Sequence, residues 1–227
     1  MKHKSAIVLL SGGLDSATAL YTAKSKGYRC FCLFFDYGQR HRRELKAARK
    51  IAKECGCAFQ VLKISLPWGG SSLVDRRVRL PLRNNEITRK RDNGIPNTYV
   101  PGRNIIFLSF ALSYAESIGA SAIFIGAHAQ DYSGYPDCRP EFFRAFAQSA
   151  RHGMRSGVEK NSIEIKTPLI HKTKAQIIRL GNRLHVPFEL TWSCYKGDLV
   201  PCEECDSCTF RAKGFKEAGL RDPLIRK

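Results

Sequence analysis

The first residues of the chain whose types and spacing suggest chemistry are the string SGGLDS at 11 to 16, in which every residue except Leu14 is small or acidic. The two glycines allow backbone conformations that other residues avoid, and they let a ligand approach the main chain closely. The side chains of Ser11, Asp15 and Ser16 carry oxygen atoms that could cap the N-terminus of a following helix. A glycine turn that leads into a helix N-terminus binds anions. A strand-to-helix corner with a good cap accounts for the glycines equally well.

The complete string narrows this choice, because SGGLDS resembles the PP-loop of the ATP pyrophosphatases, which split ATP between its α and β phosphates. Neither the Walker pattern nor the Rossmann pattern of glycines is present here. The resemblance implies that the loop holds pyrophosphate while AMP is transferred. The segment expected to contact the nucleotide consists of Leu9, Leu10, Ser11, Gly12, Gly13, Leu14, Asp15, Ser16, Ala17, Thr18 and Ala19.

A second set of reactive side chains is a cluster of cysteines near the C-terminus, formed by Cys194, Cys202, Cys205 and Cys208. Two C-x-x-C steps share Cys205 and bring three thiols into one tight turn. Four thiolates suit tetrahedral zinc, and an iron-sulfur cluster could use the same residues. Because protein would fill all four positions, the pattern predicts a structural site that holds the C-terminal segment in place.

Net charge is the extreme feature of the composition. The chain has 38 Lys and Arg against 20 Asp and Glu, which gives a formal charge of +18. This favours polyanionic partners such as nucleotides, nucleic acid or acidic surfaces, although a solvated basic surface explains scattered lysines as well. No apolar stretch approaches the roughly 20 residues of a membrane span, and none fits the core of a signal peptide. We therefore expect a cytoplasmic protein.

Alternating strands and helices must position these groups. Apolar runs at 6 to 10, 29 to 35, 59 to 64 and 122 to 126 predict buried strands, with a short fifth strand at 163 to 166. Predicted helices separate them, and this alternation indicates an α/β fold with a doubly wound parallel sheet. Ligands of such sheets bind beyond the carboxyl ends of the strands, where the SGGLDS loop would lie.

The helices are predicted from periodicity and from their caps, at 15 to 26, 42 to 55, 105 to 118, 141 to 154 and 174 to 184. The third is apolar on nearly all sides, so we expect it in the centre of the domain. The last begins with a capping box in which Thr173 is the cap and Gln176 is at the third helical position.

Some cations stand where a helix dipole disfavours them. Arg103 begins the third helix, and Lys172 and Lys174 flank the start of the last. A positive charge at a helix N-terminus is unfavourable unless an anion is present, so Arg103 and Lys172 are expected to neutralise phosphate, with exposed lysines that have no role as the alternative for the last helix. Residues 66 to 98 lack periodicity and are rich in arginine. They predict either a mobile basic cover for the site or a variable insertion.

Seven motifs together resemble the 7-cyano-7-deazaguanine synthase family of the queuosine pathway of tRNA modification. They are SGGLDS, FDYGQ at 35 to 39, YVPGRN at 99 to 104, DYSGYPDCRPEF at 131 to 142, TPLIHKTKAQII at 167 to 178, TWSCY at 191 to 195 and PCEECDSC at 201 to 208. The resemblance covers nearly the whole chain. It implies one domain over 1 to 227 with a fold similar to that of the adenine nucleotide alpha hydrolases. A zinc-binding segment at 191 to 219 and a homodimer are implied as well.

The resemblance also implies an activity, the ATP-dependent conversion of 7-carboxy-7-deazaguanine and ammonia into the nitrile preQ0 through adenylated intermediates. ATP, Mg²⁺ and Zn²⁺ would be the cofactors, and no stable nucleic-acid complex would be needed. On this basis Asp15 would orient the loop or help to hold Mg²⁺. The residues expected to face the deazapurine are Tyr132, Tyr135, Asp137 and Arg139.

Two other functions fit parts of the pattern. One is a PP-loop enzyme that adenylates a base of tRNA directly, which the positive charge and the cysteines would serve well. The other is a zinc-containing RNA-binding protein without turnover, in which the SGGLDS loop only touches backbone phosphate. Release of AMP and pyrophosphate in the absence of tRNA distinguishes these functions.

Overall fold

The computed structural model describes residues 4–39, 43–75, 77–80, 95–128 and 134–225. Its sheet is built from five parallel strands in the order β3-β2-β1-β4-β5. Their bounds are β1 Ser5–Leu9, β2 Arg29–Asp36, β3 Ala58–Lys63, β4 Ala122–Phe124 and β5 Glu164–Lys166. The predicted parallel, doubly wound sheet is therefore confirmed.

Seven α-helices lie in the described part of the chain. They are α1 Leu14–Ser25, α2 Arg43–Glu54, α3 Arg103–Ser117, α4 Pro140–Gly153, α5 Arg155–Val158, α6 Lys174–Arg183 and α7 Asp206–Ala218. Each longer helix matches a predicted one within a few residues, except α7, which follows the cysteine pattern. Short 3₁₀ turns occur at Pro136–Cys138 and Phe188–Leu190.

The sheet separates two hydrophobic cores, because successive side chains of a strand point to opposite faces. In β1, Ala6 and Val8 belong to the core shared with α1, α2, α6 and α7, whereas Ile7 and Leu9 belong to the core shared with α3 and α4. All four side chains are almost fully buried. The central strand is thus covered on both sides and fixes the loop that follows it.

The expectation that the third helix lies in the centre of the domain is wrong. Leu108 and Ala111 of α3 are fully buried, but Ile105 is 47% exposed and Phe110 is 42% exposed. The helix covers one face of the sheet and carries apolar residues on its outer side as well. Apolar residues on nearly all sides of a helix do not show that other elements of the protein cover it on all sides.

The ends of the predicted basic insertion meet in the structure. Ser71 and Ser72 are fully buried, and the N–H of Ser72 donates to the carbonyl of Asn97 at 2.9 Å. Residues 76 and 81 to 94 lie outside the described ranges, and the prediction of a mobile cover concerns mainly those residues. Within the described ranges, no helix has the length and apolar character that crossing a bilayer requires.

Candidate active site

The site lies where the strand order reverses, between the carboxyl ends of β1 and β4. Parallel sheets bind ligands at such a crevice. The turn after β4 packs closely on the first turn of α1, since a Cβ at Gly126 would lie 2.9 Å from the backbone carbon of Asp15. Gly126 is therefore needed for this close approach, which brings the residues just after β4 against the start of α1.

Hydrogen bonds within the SGGLDS loop fix its shape. The hydroxyls of Ser11 and Ser16 are 3.0 Å apart, and the Ser16 hydroxyl donates to the carbonyl of Gly13 at 3.0 Å. The N–H of Ser11 donates to the Ser16 hydroxyl at 3.2 Å. The N-cap residue of α1 is Gly13, and no side chain forms a capping hydrogen bond to the start of this helix. The simple explanation of a well-capped corner therefore fails, and the first-turn N–H groups remain available to an anion.

Gly12 is held against the second helix. Its φ angle is +87°, in the left-handed region that favours glycine. A Cβ at this position would lie 2.4 Å from the carbonyl oxygen of Glu44 and 2.8 Å from the backbone nitrogen of Ala48. Both the backbone conformation and the lack of space for a side chain therefore require glycine here. The absence of a Cβ allows the start of α2 to pack directly against the loop.

Asp15 forms the charged centre of the loop. Both of its carboxylate oxygens accept hydrogen bonds from Nζ of Lys174 at 2.8 Å. Nε2 of His128 lies 3.4 Å from Oδ2 of Asp15 and 3.0 Å from Nζ of Lys174. Burial alone would raise the pKa of Asp15, but Lys174 and His128 outweigh it and hold that pKa well below its usual range. Asp15 is thus an ionised group whose orientation is set by two partners.

Sequence reasoning assigned no role to His128, and it considered Lys174, together with Lys172, as a cation at a helix N-terminus whose partner would be phosphate. Lys174 is the first residue of α6, and the capping box that positions it is confirmed. The N–H of Gln176 donates to the Thr173 hydroxyl at 3.3 Å, and the N–H of Thr173 donates to the Gln176 side chain at 2.9 Å. The capping box placed Lys174 at the start of this helix, but no local pattern indicated that it pairs with Asp15. His128, a single buried histidine after β4, gave no comparable signal.

The two predicted phosphate cations occupy different positions. Arg103, the first residue of α3, lines the cavity next to the loop and donates to the hydroxyl of Tyr37 at 3.4 Å. Lys172 lies in the turn before α6, half-buried, with its N–H donating to the carbonyl of Leu169 at 2.8 Å. It does not line the cavity. Its role in neutralising phosphate stays a prediction.

The cavity beside the loop has a volume of about 290 Å³. Its lining combines apolar residues, among them Leu9 of β1 and Leu33 of β2, with polar residues from the loop, from α2 and from α3. The polar lining includes Ser11, Gly13, Asp15, Ser16, Tyr37, Gln39, Glu44, Arg103, Asn104, Tyr135 and Tyr195. A concave site with an apolar wall and a few convergent polar groups is typical of small-molecule binding.

Arg103 and Glu44 are half-buried ionisable groups of opposite charge type that line this cavity. Burial works against the charged form of Arg103, but Tyr37, Cys138 and Asp137 raise its pKa further, so it stays protonated. Burial raises the pKa of Glu44 to about 7, although the charge of Arg103 acts in the opposite direction. Glu44 therefore titrates in the neutral range.

The predicted substrate loop is only partly described. Tyr135 lines the cavity, and its hydroxyl shares a hydrogen bond with the Thr98 hydroxyl. Asp137 is buried, and its Oδ2 accepts the N–H of Asn104 at 2.9 Å, which supports the start of α3. Arg139 is exposed, and neither Asp137 nor Arg139 lines the cavity. Tyr132 lies outside the described residues.

The predicted cysteine cluster is confirmed as a site of metal-binding geometry. The sulfur atoms of Cys194, Cys202, Cys205 and Cys208 all lie within 4.8 Å of one another. Tetrahedral thiolate ligands at 2.3 Å from a zinc ion would be separated by about 3.8 Å, so a small contraction would complete the site. The metal-binding prediction thus fits these residues, and the pattern alone had identified all four.

Trp192 connects this cluster to the loop. Its indole N–H donates to the carbonyl of Cys194 at 3.0 Å, and its backbone N–H donates to the carbonyl of Gly12 at 2.9 Å. The guanidinium carbon of Arg43 lies 4.7 Å from the centre of the indole ring. Tyr195, one residue after the first cysteine of the cluster, lines the cavity. The cysteine segment therefore forms part of the wall of the candidate active site.

Comparisons with known proteins agree with this geometry. The family model described as "Queuosine biosynthesis protein QueC" matches residues 5–219. A 7-cyano-7-deazaguanine synthase of Nostoc punctiforme is 51% identical over 222 residues, which cover 97% of this chain and 98% of that protein. The enzyme of the same name from Thermoplasma acidophilum is 51% identical over 224 residues, covering 99% of this chain and 92% of that protein.

Among solved structures, NMN synthetase from Francisella tularensis resembles this fold with a TM-score of 0.50 and 14% sequence identity. The match covers 96% of this chain and 78% of the synthetase chain. At that identity the likeness concerns the fold alone.

Proposed function

The chain belongs to the family of the queuosine biosynthesis protein QueC, and on this premise we propose that its cavity converts 7-carboxy-7-deazaguanine and ammonia into 7-cyano-7-deazaguanine, the nitrile preQ0. ATP is split to AMP and pyrophosphate in the process. The similarity to synthases of this name extends over nearly the full length of both chains. The activity therefore applies to the whole chain, which we treat as one domain over 1 to 227.

The chemistry explains why a pyrophosphate-binding loop is needed. A carboxylate is a poor electrophile because its oxygen is a poor leaving group. Transfer of AMP to that oxygen makes it a good one, and ammonia then displaces AMP to give the amide. A second adenylation, on the amide oxygen, allows AMP to leave as the nitrile forms. Such catalysis depends mainly on positioning and on charge stabilisation.

One observation carries the proposal. The uncapped first turn of α1 and the ionised Asp15 open together onto a cavity that can hold a small molecule. In this arrangement Ser11, Gly13 and Ser16 bind the pyrophosphate half of ATP. Asp15 keeps the loop oriented through its ion pair with Lys174, and Mg²⁺, when bound with the nucleotide, neutralises part of the phosphate charge.

Cations complete the phosphate site. Arg103 extends into the cavity, is fully charged and stabilises either a phosphate or the carboxylate of the substrate. Lys172, half-buried before α6, neutralises the leaving pyrophosphate. The assignment of Arg103 rests on its charge and its place in the cavity, and that of Lys172 on its charge and its place before α6.

Four residues are proposed to recognise the deazapurine. Tyr135, which lines the cavity, offers a ring for stacking. Asp137 has acceptor capacity beyond its bond to Asn104 and is assigned to the guanine-like N–H edge. Tyr132 and Arg139 complete the set, as a second ring and as a cation for the substrate carboxylate.

The cysteine cluster is proposed to hold Zn²⁺. Four thiolates form a closed tetrahedral set, which leaves no position for water and assigns the ion a structural task. The fit is supported by the mutual approach of all four sulfur atoms. The ion would thus hold residues 191 to 219 in position next to the turn at Gly12.

Release of AMP and pyrophosphate is the measurement that tests this function. The purified protein should release both when it is given ATP, 7-carboxy-7-deazaguanine and ammonium without tRNA, and preQ0 should appear by mass spectrometry. Strict dependence on tRNA would indicate direct adenylation of a tRNA base. If ATP were not cleaved under any of these conditions, the remaining explanation would be a binding protein without turnover.

We also propose that the protein is a homodimer in the cytoplasm and needs no nucleic-acid complex. Light scattering of the same sample measures the mass of the assembly.

A further inference from the structure

One acidic residue of the cavity has no part in the function described so far. Glu44 lies in the first turn of α2, and its side chain faces the cavity together with Tyr37 and Arg103. No hydrogen bond from a described residue acts on its carboxyl group, which is influenced by burial and by the charge of Arg103. Glu44 is half-buried, so its carboxyl group is free of described hydrogen-bond donors and can be reached from the cavity by a ligand.

The backbone holds this residue in place. The carbonyl oxygen of Glu44 touches the position that a Cβ would occupy at Gly12, so α2 is docked directly on the pyrophosphate loop. Arg103 faces Glu44 from α3, and Tyr37 faces it from the turn after β2. Asp15 lines the same cavity from α1. Glu44 is therefore positioned next to the groups expected to hold the adenylated substrate.

The reaction requires a proton acceptor that the assigned residues do not supply. Ammonia is present almost entirely as ammonium near pH 7, and ammonium has no electron pair with which to attack. Asp15 is paired with Lys174, and Arg103 is a permanent cation. We propose, on the basis of the function given above, that Glu44 binds ammonium in the cavity and removes the proton that makes it a nucleophile.

The step is balanced in protons and electrons. The Glu44 carboxylate takes a proton from ammonium, so that an N–H bond breaks and an O–H bond forms. The freed electron pair on nitrogen forms the new C–N bond to the adenylated carbonyl carbon. The C–O bond to AMP then breaks with its electrons on AMP, and the second proton leaves the nitrogen to solvent as the amide forms. Glu44 returns its proton to solvent before the next turnover.

The acidity of Glu44 supports this role. An exposed glutamate is too weak a base to compete for a proton of ammonium, whereas burial raises the pKa of Glu44 to about 7. General bases work best when their pKa lies near the working pH. The positive charge of Arg103 limits this rise in the pKa of Glu44, so that part of the Glu44 carboxyl groups stays ionised near pH 7.

The Glu44→Gln variant separates this role from binding. It keeps the size of the side chain but cannot accept a proton. At pH 7 its kcat/KM for ammonium should fall by about 10² to 10⁴, the usual contribution of a general base. Exchange of pyrophosphate into ATP, driven by the carboxylate substrate without ammonium, should keep the wild-type rate. The defect should shrink as the pH is raised, because free ammonia then forms in solution.

Hydroxylamine provides a chemical rescue, since it is largely unprotonated at pH 7. Glu44→Gln should form the hydroxamate at the wild-type rate, detected as its ferric complex. Glu54→Gln, on the exposed end of the same helix, is the matched control and should match wild type in every assay. Equal loss of exchange and of hydroxamate formation in Glu44→Gln would overturn the proposal and make Glu44 a nucleotide-positioning residue. If wild type itself showed no carboxylate-dependent exchange, the proposed function would fail first.

Discussion

The backbone N–H of Trp192 donates a hydrogen bond to the carbonyl of Gly12 at 2.9 Å. This bond joins two segments that are 180 residues apart in the chain (192 − 12). The indole of the same residue is bonded to Cys194, a member of the cysteine cluster. Trp192 therefore contacts both the cysteine cluster and the SGGLDS loop, and we expect a change at either to affect the other.

Removal of the metal should weaken ATP binding. Cys205→Ser should lose the metal, and the Kd for a non-hydrolysable ATP analogue should rise by about tenfold, which corresponds to about 1.4 kcal/mol of coupling. By reciprocity, the analogue should tighten metal binding by the wild type to the same degree, measured at equilibrium by competition with a coloured chelator. Cys57→Ser, in a half-buried cysteine outside the cluster, is the control and should keep its metal. Unchanged analogue affinity in metal-free Cys205→Ser protein would contradict the link through Trp192.

Lys174→Met should disable the loop. Without the charged amino group of Lys174, Asp15 loses its closest counter-charge and both of its 2.8 Å hydrogen bonds. AMP formation should fall by about 10² to 10³, the usual effect of losing one preorganised charged group. Lys213→Met, at an exposed position on α7, should leave the rate unchanged. Lys172→Met in the same assay tests the prediction made from the sequence. A Lys174→Met protein with normal turnover would show that the pair with Asp15 is not used.

Glu44 should make stability depend on pH. Its folded pKa, about 7, lies above the value near 4.3 of an unfolded glutamate, so the folded state binds more protons between those values. The contribution of Glu44 to stability is full below about pH 4 and is lost as the pH rises to 7, by up to about 1.4 kcal/mol per pH unit. Relative to wild type, Glu44→Gln should therefore gain stability between pH 5 and pH 8 in urea unfolding. If the difference in the free energy of unfolding between Glu44→Gln and wild type stayed constant across that range, the pKa of Glu44 would not be raised.

A buried ion pair holds the C-terminal segment. Arg211 donates to Oδ2 of Asp222 at 2.6 Å and to Oδ1 at 2.8 Å, and both side chains are about 95% buried. Asp222→Ala would leave an uncompensated buried charge and should destabilise the protein by about 3 to 5 kcal/mol. Asp198→Ala, at an exposed position, should have little effect. Chemical denaturation measures both, and a loss below about 1 kcal/mol for Asp222→Ala would indicate that water reaches Arg211.

Local patterns predicted much of this structure because the forces behind them act over short distances. The capping box at Thr173 needs only residues three apart, and the two C-x-x-C steps need only one turn. The parallel sheet followed from buried strands that alternate with helices. In contrast, the exposed side of α3 was not predicted, because an apolar helix surface does not show what covers it.

The sequence by itself determined the chemistry that is available: a glycine loop at the end of a strand, four clustered thiols and an excess of positive charge. Tertiary structure decided which of these groups work together. It paired Asp15 with Lys174 across 159 residues, placed His128 beside both, and enclosed Glu44 in the cavity opposite Arg103. The physical reason is that the charge state of a side chain depends on its burial and on its neighbours, and distant parts of the chain supply both.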